Sequence, residues 1–407
     1  MMKAVFSALC LALTALSAAE APLHPTLDGK VVTGYQGWFR AEGDASGLGW
    51  VHYGPGKRFS TQACSFDLWP DLSEFPPDER YASPFKFADG RTADLFSSVH
   101  PATVRRHFRW MKDYGLDGAM LQRFAVGLGK GRGATSLDVV LRNCTEAANA
   151  EGRSLTVMYD LSGLTPERFP LVAADWRQLV AAGQTKQPCA QFHQGKPLVA
   201  LWGLGFNDRA PALKEWAELL ADIKATGAAI MVGVPTYWRE LKNDSQPDPA
   251  LHALIRQADI VSPWTVGRFG DPQGAADLGR KVWAPDAAWC RAEQKTYLPV
   301  IFPGFSWSNL SAQRGKPSKL DQIPRLGGRF LWSQAVAARE AGAKTLYVAM
   351  FDELDEGTAI MKCGGPRPVG NFVDLSDVPT DHYLWLSGQA GRMLRGEIPG
   401  STDLPKR

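Results

Sequence analysis

Strand-like and helix-like segments alternate eight times along this chain, and this alternation predicts an α/β fold, a (β/α)8 TIM barrel. A doubly wound open sheet is the alternative. No interior linker or shift in composition divides residues 20–407, so we expect a single domain. The eight apolar segments that we expect to form strands are Lys30–Phe39, Asp117–Phe124, Ser154–Leu161, Lys196–Gly203, Ala228–Pro235, Asp259–Val266, Tyr297–Trp307 and Thr345–Phe351.

Amphipathic stretches between these strands are long enough for crossover helices. Pro101–Tyr114 carries proline in its first turn and stops before Gly115, as helices commonly do. Pro285 lies in the middle of another stretch, Asp277–Ala292, and is expected to break or kink that helix. The remaining predicted helices are Ser136–Glu151, Asp175–Ala182, Ala212–Thr226, Pro249–Ala258, Phe330–Ala341 and Tyr383–Arg395.

The first strand is followed by an unusually long connection. Some sixty residues (40–99) separate it from its helix, whereas loops between a strand and the next helix usually have about 2–6 residues. Loops of this length more often form a lid or a binding wall than a simple connection. We therefore predict a long β1–α1 loop that borders the functional site.

Composition argues against a nucleic-acid partner. The 407 residues include 45 Lys plus Arg and 42 Asp plus Glu, and no basic run indicates nucleic-acid binding. The 14 tryptophans are many for this length. An indole face can stack on the C–H surface of a sugar, although buried tryptophan also fills cores. A carbohydrate is therefore the partner that we expect.

The amino terminus has the features of a secretory signal peptide. One lysine, a short apolar stretch and then small residues occupy residues 1–19, and no other stretch is long enough to cross a bilayer. We therefore predict a secreted or periplasmic protein with no membrane segment after cleavage.

Five cysteines lie beyond the predicted signal peptide, so at most two disulfides can form, and their wide spacing does not fit a CxxC zinc site.

The last predicted strand ends in a dense group of acids. Its apolar run is followed directly by Asp352, Glu353, Asp355 and Glu356. Neighbouring carboxyl groups raise one another's pKa, which keeps one protonated as a general acid. Cleavage of a glycosidic bond requires such an acid and a second assisting group. We therefore predict Glu353 and Glu356 as catalytic residues that reach one shared cavity; a solvated acidic turn or a set of Ca²⁺ ligands is the alternative.

Further candidates lie at the carboxyl ends of the other strands or in the long loop, where a barrel places its active site. Individually, the tryptophans can be core residues, Arg123 can pair with a carboxylate, Asp160 can cap the next segment, and His52 can be structural. The predicted substrate-binding residues are Tyr35, Gln36, Trp38, His52, Gln122, Arg123, Asp160, Trp202, Trp238, Trp264, Trp307 and Asp352.

Sequence motifs for other chemistries are missing. The chain has no HExxH zinc motif, no G-x-S-x-G elbow and no glycine-rich dinucleotide or phosphate motif. We therefore predict neither a metal nor an organic cofactor.

Two stretches resemble a known group of enzymes. Met350–Thr358, MFDELDEGT, is similar to the strand-eight signature F-N-E-W-x-E-G-T of glycoside hydrolase families 99 and 71. Gly34–Phe39, GYQGWF, resembles the start of secreted 71/99-like proteins, some labelled xylosidase/arabinosidase. The resemblance implies a (β/α)8 barrel that cleaves internal α-mannosidic linkages with retention and without a covalent intermediate. It also implies that Glu353 deprotonates the sugar 2-hydroxyl and that Glu356 is the acid/base.

The chain departs from this signature at two positions. Asp352 stands where the signature has asparagine, and Leu354 stands where it has tryptophan, so the mannose-specific pocket is not implied. Two alternatives stay open. One is a catalytically decayed carbohydrate-binding protein on the same scaffold. The other is a hydrolase of α-glucan or of xylan/arabinan side chains.

Overall fold

The computed structural model of the protein describes residues 21–129, 131–209 and 211–407, so the predicted signal peptide lies outside the described residues. Its main element is a curled parallel sheet. The strands are β1 (Val31–Tyr35), β2 (Tyr81–Lys86), β3 (Thr92–Leu95), β4 (Gly118–Phe124), β5 (Ser154–Asp160), β6 (Phe192–His193), β7 (Lys196–Trp202), β8 (Ala229–Pro235), β9 (Ile260–Trp264), β10 (Thr296–Tyr297), β11 (Val300–Ile301) and β12 (Leu346–Val348).

The sheet has the strand order of a TIM barrel. Parallel neighbours run β10-β9-β8-β7-β5-β4-β1-β12-β11, and the short β6 pairs antiparallel with β7. Only Leu298 and Pro299 separate β10 from β11. The Leu298 N–H donates to Val261 O at 2.9 Å, and the Tyr347 N–H donates to Pro299 O at 3.1 Å. Together β10 and β11 therefore occupy the seventh of eight positions, interrupted where proline has no N–H to give.

Helices cover the outside of this sheet. Pro285 does not end a helix: α6 continues through a π-helical turn, Gly279–Trp283, into α7, which has Pro285 in its first turn. The π-helical turn lies just before Pro285, whose missing N–H and ring are incompatible with regular α-helical bonding at that point, so the helical path continues with a local change in its hydrogen-bond pattern. The helices are α1 (Pro101–Tyr114), α2 (Arg132–Glu151), α3 (Phe169–Ala181), α4 (Leu213–Lys224), α5 (Ala250–Ile255), α6 (Pro272–Leu278), α7 (Ala284–Ala292), α8 (Ser308–Gln313), α9 (Arg329–Glu340) and α10 (His382–Leu394).

The segment between β1 and α1 is an ordered layer with its own aromatic core. It contains the antiparallel pair β2–β3, and Tyr53, Phe66 and Trp69 are buried in it. Its backbone also bonds to the segment after β12: the Asp67 N–H donates to Leu354 O at 3.1 Å, and the Asp71 N–H donates to Lys362 O at 2.9 Å. The long connection therefore packs directly against the acidic segment.

The described residues contain neither a disulfide nor a helix able to span a membrane. Cys64, Cys144, Cys189, Cys290 and Cys363 are all buried free thiols. Within the part of the chain that the structure describes, no helix combines the length and the apolar character that a bilayer crossing requires.

Candidate active site

The acidic segment leaves the sheet at the carboxyl end of β12. The Phe351 N–H still donates to Gly34 O of β1 at 2.7 Å, and the Met350 N–H donates to Thr358 O at 3.2 Å. The chain thus folds back on itself between residues 350 and 358, and Leu354 has no exposed surface. This turn presents the four acids in different directions.

Asp352 anchors the turn to β1. Its Oδ1 accepts the Gln36 N–H at 2.7 Å, and its Oδ2 accepts the Gly37 N–H at 2.9 Å. Burial raises the pKa of this carboxyl to about 7. Asp352 is 0 % exposed, and both of its carboxyl oxygens accept backbone N–H groups. The prediction that it contacts substrate is therefore wrong.

Glu353 is also held at both oxygens. Oε1 accepts Gln36 Nε2–H at 3.0 Å, and Oε2 accepts the Thr358 hydroxyl at 2.9 Å. Burial raises its pKa well above the usual range, and the charges of Glu356 and Asp355 add to this rise. The side chain is 5 % exposed. Glu353 is therefore fixed in place, with little surface open to a ligand.

Asp355 connects the acidic segment to the long loop. Its Oδ2 lies 3.1 Å from His52 Nδ1, and the His52 ring stacks on Trp38 with centroids 3.8 Å apart and planes at 10°. Trp38 stacks in turn on Phe124, with centroids 5.1 Å apart. We call these three rings, His52, Trp38 and Phe124, the aromatic wall. They keep the long loop fixed beside the acids.

Glu356 faces a cavity on one side of the aromatic wall. The cavity has a volume of about 470 Å³. Burial raises the pKa of Glu356 to about 7; the charge of Asp355 adds to the rise, and Arg314 opposes it. Glu353 is not among the lining residues, so only Glu356 meets the expectation that both glutamates reach one cavity. The cavity is lined by Trp38, Val51, His52, Gly54, Pro55, Gly56, Lys57, Ser65, Leu310, Gln313, Arg314, Asp355 and Glu356.

A second cavity, of about 450 Å³, lies along the same rings. Trp38 and His52 line both cavities, and Gln36, Phe124 and Val126 line the second one. Within the described part of the chain, no carboxyl group lines this second cavity. The aromatic wall thus separates an acidic cavity from a largely apolar one.

Several predicted substrate-binding residues do lie at the carboxyl rim of the barrel. Trp202 and Trp264 are half-buried and meet edge to face, with centroids 5.5 Å apart at 79°. The Arg209 guanidinium lies 4.7 Å from the centre of the Trp202 ring. Asp160, at the end of β5, accepts the Ser162 N–H at 2.7 Å and so also stabilises its own turn.

Two further predicted residues lie elsewhere around the barrel mouth. Gln122 points into the barrel, where its Nε2–H donates to the Tyr347 hydroxyl at 3.4 Å. Trp307 is half-buried beside Phe305, just before α8, with ring centroids 5.5 Å apart. Neither lines the acidic cavity.

Three residues predicted to bind substrate are core or helix-facing residues instead. Tyr35 and Trp238 have no exposed surface; the Tyr35 hydroxyl lies 2.9 Å from His107 Nδ1 on α1. Arg123 pairs with Asp175 and Asp138, each at 2.7 Å. Successive side chains of a strand point to opposite faces, so Gln122 faces the barrel interior and Arg123 the helices.

Sequence reasoning missed other residues around the acidic cavity. Asp355 belongs to the noted acidic run, but nothing in the sequence shows that it bonds His52. Lys57 and Arg314 also line the cavity, although they are far apart in sequence. No local pattern distinguishes them from other surface cations.

The described residues contain no group of three or more His, Cys, Asp or Glu side chains arranged to hold a metal ion.

The raised pKa of Glu356 makes stability depend on pH. A carboxyl whose pKa is higher in the folded protein than in the unfolded chain binds its proton more tightly when folded, so its contribution to stability falls as pH rises between the two values. Here they are 4.5 and about 7. We expect wild type to lose roughly 2 kcal/mol relative to Glu356→Gln between pH 5 and pH 7.

Urea denaturation of both proteins at several pH values measures this difference. The comparison with the variant matters because buried histidines act in the opposite sense: burial lowers the pKa of His107 to about 3. The exposed Glu340→Gln substitution is the control and leaves the pH dependence of wild type unchanged. Parallel curves for wild type and Glu356→Gln would show that Glu356 titrates normally.

Comparisons with known proteins support the fold. No protein-family model matches the chain, and no curated protein matches its sequence. The described residues form a TIM-barrel-like α/β fold. Two solved structures of the family 99 endo-α-mannosidase from Bacteroides thetaiotaomicron, one with bis-tris-propane bound, align with a TM-score of 0.64 and 17 % identity, covering 91 % of this chain and 99 % of theirs.

Proposed function

We propose that the protein is a glycoside hydrolase that acts on a poly- or oligosaccharide. The observation that carries the proposal is a pair of glutamates, Glu353 and Glu356, both with raised pKa values, in one turn at the carboxyl end of β12 beside a 470 Å³ cavity. The fold shared with a family 99 endo-α-mannosidase supports it. Two carboxyl groups in this position are what glycosidic cleavage requires.

Glu356 is the proposed general acid. It lines the cavity, and its pKa of about 7 keeps much of it protonated at neutral pH. A proton donor is most effective when its pKa lies near the working pH. Glu356 would give its proton to the glycosidic oxygen as the bond to the leaving sugar breaks, and would then take a proton from the attacking water.

Glu353 is the proposed base, and it would accept the proton of the sugar 2-hydroxyl as that oxygen closes on the anomeric carbon. It would return this proton to the same oxygen when water attacks the anomeric carbon and opens the three-membered ring, so that two inversions give net retention. The Gln36 amide and the Thr358 hydroxyl donate to its two oxygens. The Thr358 bond lowers the pKa, but burial outweighs it and the pKa stays raised, so the base role requires that Glu353 has lost its proton before the step. The same bonds fix its orientation. Because Glu353 is 5 % exposed, the proposal requires that a bound sugar reach it through this small opening.

The substrate and the cellular site belong to the same proposal. An α-mannoside is the first substrate to test, since the similar solved structures are of an endo-α-mannosidase. Leu354 and Asp352 depart from the resembled signature, so α-glucans and xylan/arabinan side chains belong in the same panel. We also propose export through residues 1–19, which mass spectrometry of the mature amino terminus tests directly.

Screening the purified protein against this panel tests the function. We expect release of reducing sugar from at least one polysaccharide, with retained anomeric configuration in the first product detected by NMR. A first product with inverted anomeric configuration would exclude the 2-hydroxyl mechanism but would still establish a glycoside hydrolase. Binding of a glycan without turnover, unchanged when either glutamate becomes glutamine, would instead establish a carbohydrate-binding protein.

A further inference from the structure

Two cations without an ion-pair partner among the described residues line the acidic cavity. Lys57 and Arg314 line it from the long loop and from the end of α8. Both are exposed, and among the described residues neither side chain has a carboxylate oxygen within the 4.0 Å of an ion pair. These two cations are thus available to a ligand.

The acids of the cavity leave this positive charge in excess. The Asp355 carboxylate already bonds His52 Nδ1 at 3.1 Å, and His52 is fixed by the aromatic wall. Glu356 has a pKa of about 7 and is therefore largely uncharged below neutral pH. When Glu356 is protonated, the two cations Lys57 and Arg314 outnumber the Asp355 carboxylate, and the lining of the cavity carries an excess of one positive charge.

The backbone holds the loop side of this cavity in a specific shape. His52 and Lys57 have φ angles of 65° and 70°, in the left-handed region that costs a non-glycine residue roughly 1 kcal/mol or more. Both line the cavity. Such conformations persist where the surrounding structure enforces them, and they concentrate at ligand sites. The position of Lys57 is therefore set by the fold of the loop and not by its own preference.

We infer that the acidic cavity accepts a sugar bearing an anionic substituent, a uronic acid carboxylate or a sulfate ester, which Lys57 and Arg314 bind. The inference rests on the proposed function, because it names the substrate class of the same site. The sugar ring would pack beside Trp38 while its anionic group reaches the two cations. Cationic side chains bind carboxylates and sulfates through charge-assisted hydrogen bonds.

Matched pairs of ligands test this inference. One pair is a uronate-containing oligosaccharide and its carboxyl-reduced form, and the other is a sulfated oligosaccharide and its desulfated form. Wild-type turnover gives kcat/KM, and calorimetry with the Glu353→Gln variant gives affinity without turnover. We expect at least one anionic member to bind about tenfold more tightly than its neutral partner, with an advantage that falls as salt rises. The two pairs distinguish carboxylate from sulfate.

The double variant Lys57→Ala/Arg314→Ala should remove this preference, so that the anionic and neutral members of each pair bind with equal affinity. Its matched control is Arg58→Ala/Lys316→Ala, which removes the same charge from exposed neighbours that do not line the cavity. Equal effects of the two double variants, equal affinity within both ligand pairs, or no binding to any member would overturn the inference. Cleavage of neutral glycans without anionic preference would do so while leaving the proposed hydrolase intact.

Discussion

Glutamine in place of Glu356 lowers kcat by about 10²–10⁴-fold, the contribution expected of a positioned general acid. Glutamine keeps the size and the hydrogen-bonding shape of the side chain but has no proton to give. Glu353→Gln causes a loss of similar size, because an amide cannot accept the proton of the sugar 2-hydroxyl. Steady-state kinetics on the best substrate of the panel, with calorimetry for sugar binding, measures both effects.

The acid role gives the two variants different signatures. A substrate with a good leaving group, such as a nitrophenyl glycoside, needs little protonation, so it should restore much of the rate to Glu356→Gln and little to Glu353→Gln. Glu340→Gln, exposed at the end of α9, is the matched control and should retain full activity. Rates within threefold of wild type in both site variants would exclude these glutamates as the catalytic pair.

Alanine in place of Arg123 destabilises the protein by about 3 kcal/mol, the cost of leaving a partly buried carboxylate without its partner. Arg123 is 5 % exposed and bonds both oxygens of Asp175, whose side chain is 15 % exposed. Urea denaturation measures the loss. Because Arg123 faces the helices, KM for the best substrate should stay unchanged at a temperature where the variant is folded.

Two other substitutions separate this buried pairing from surface charge. Asp138 also pairs with Arg123, but its side chain is 63 % exposed, so Asp138→Ala should cost less than about 1 kcal/mol. Arg142→Ala removes an exposed arginine of α2 and should change stability by less than about 0.5 kcal/mol. A raised KM with unchanged stability in Arg123→Ala would show that Arg123 binds substrate and does not stabilise the fold.

Local patterns in the sequence were enough to predict the order of the eight barrel strands, but not the short strands β2, β3 and β6 or the helix α8. Apolar runs such as Ser154–Leu161 differ from the observed strand, Ser154–Asp160, by a single residue. The seventh and eighth strands are much shorter than predicted, because Pro299 interrupts one and the fold-back after residue 348 ends the other. An apolar run shows burial, and it does not show where pairing with a neighbouring strand stops.

The direction of each side chain was harder to predict than its place along the chain. Gln36 and Trp38 do lie beside the acids, while Tyr35 points the other way into the helical layer. Alternation explains this once the register of β1 is known, but the sequence does not state which residue of a fully apolar strand faces inward. Asp352 and Glu353, adjacent in sequence, differ for the same reason.

What the sequence determined by itself was the barrel-like alternation and the presence of four acids after the last strand, since both are written in consecutive residues. Only the tertiary structure decided which acids anchor the turn and which one faces the cavity. It also brought His52, Lys57 and Arg314 to these acids from segments far apart in the chain. Such contacts depend on how a long loop packs across the barrel, and no local preference encodes that packing.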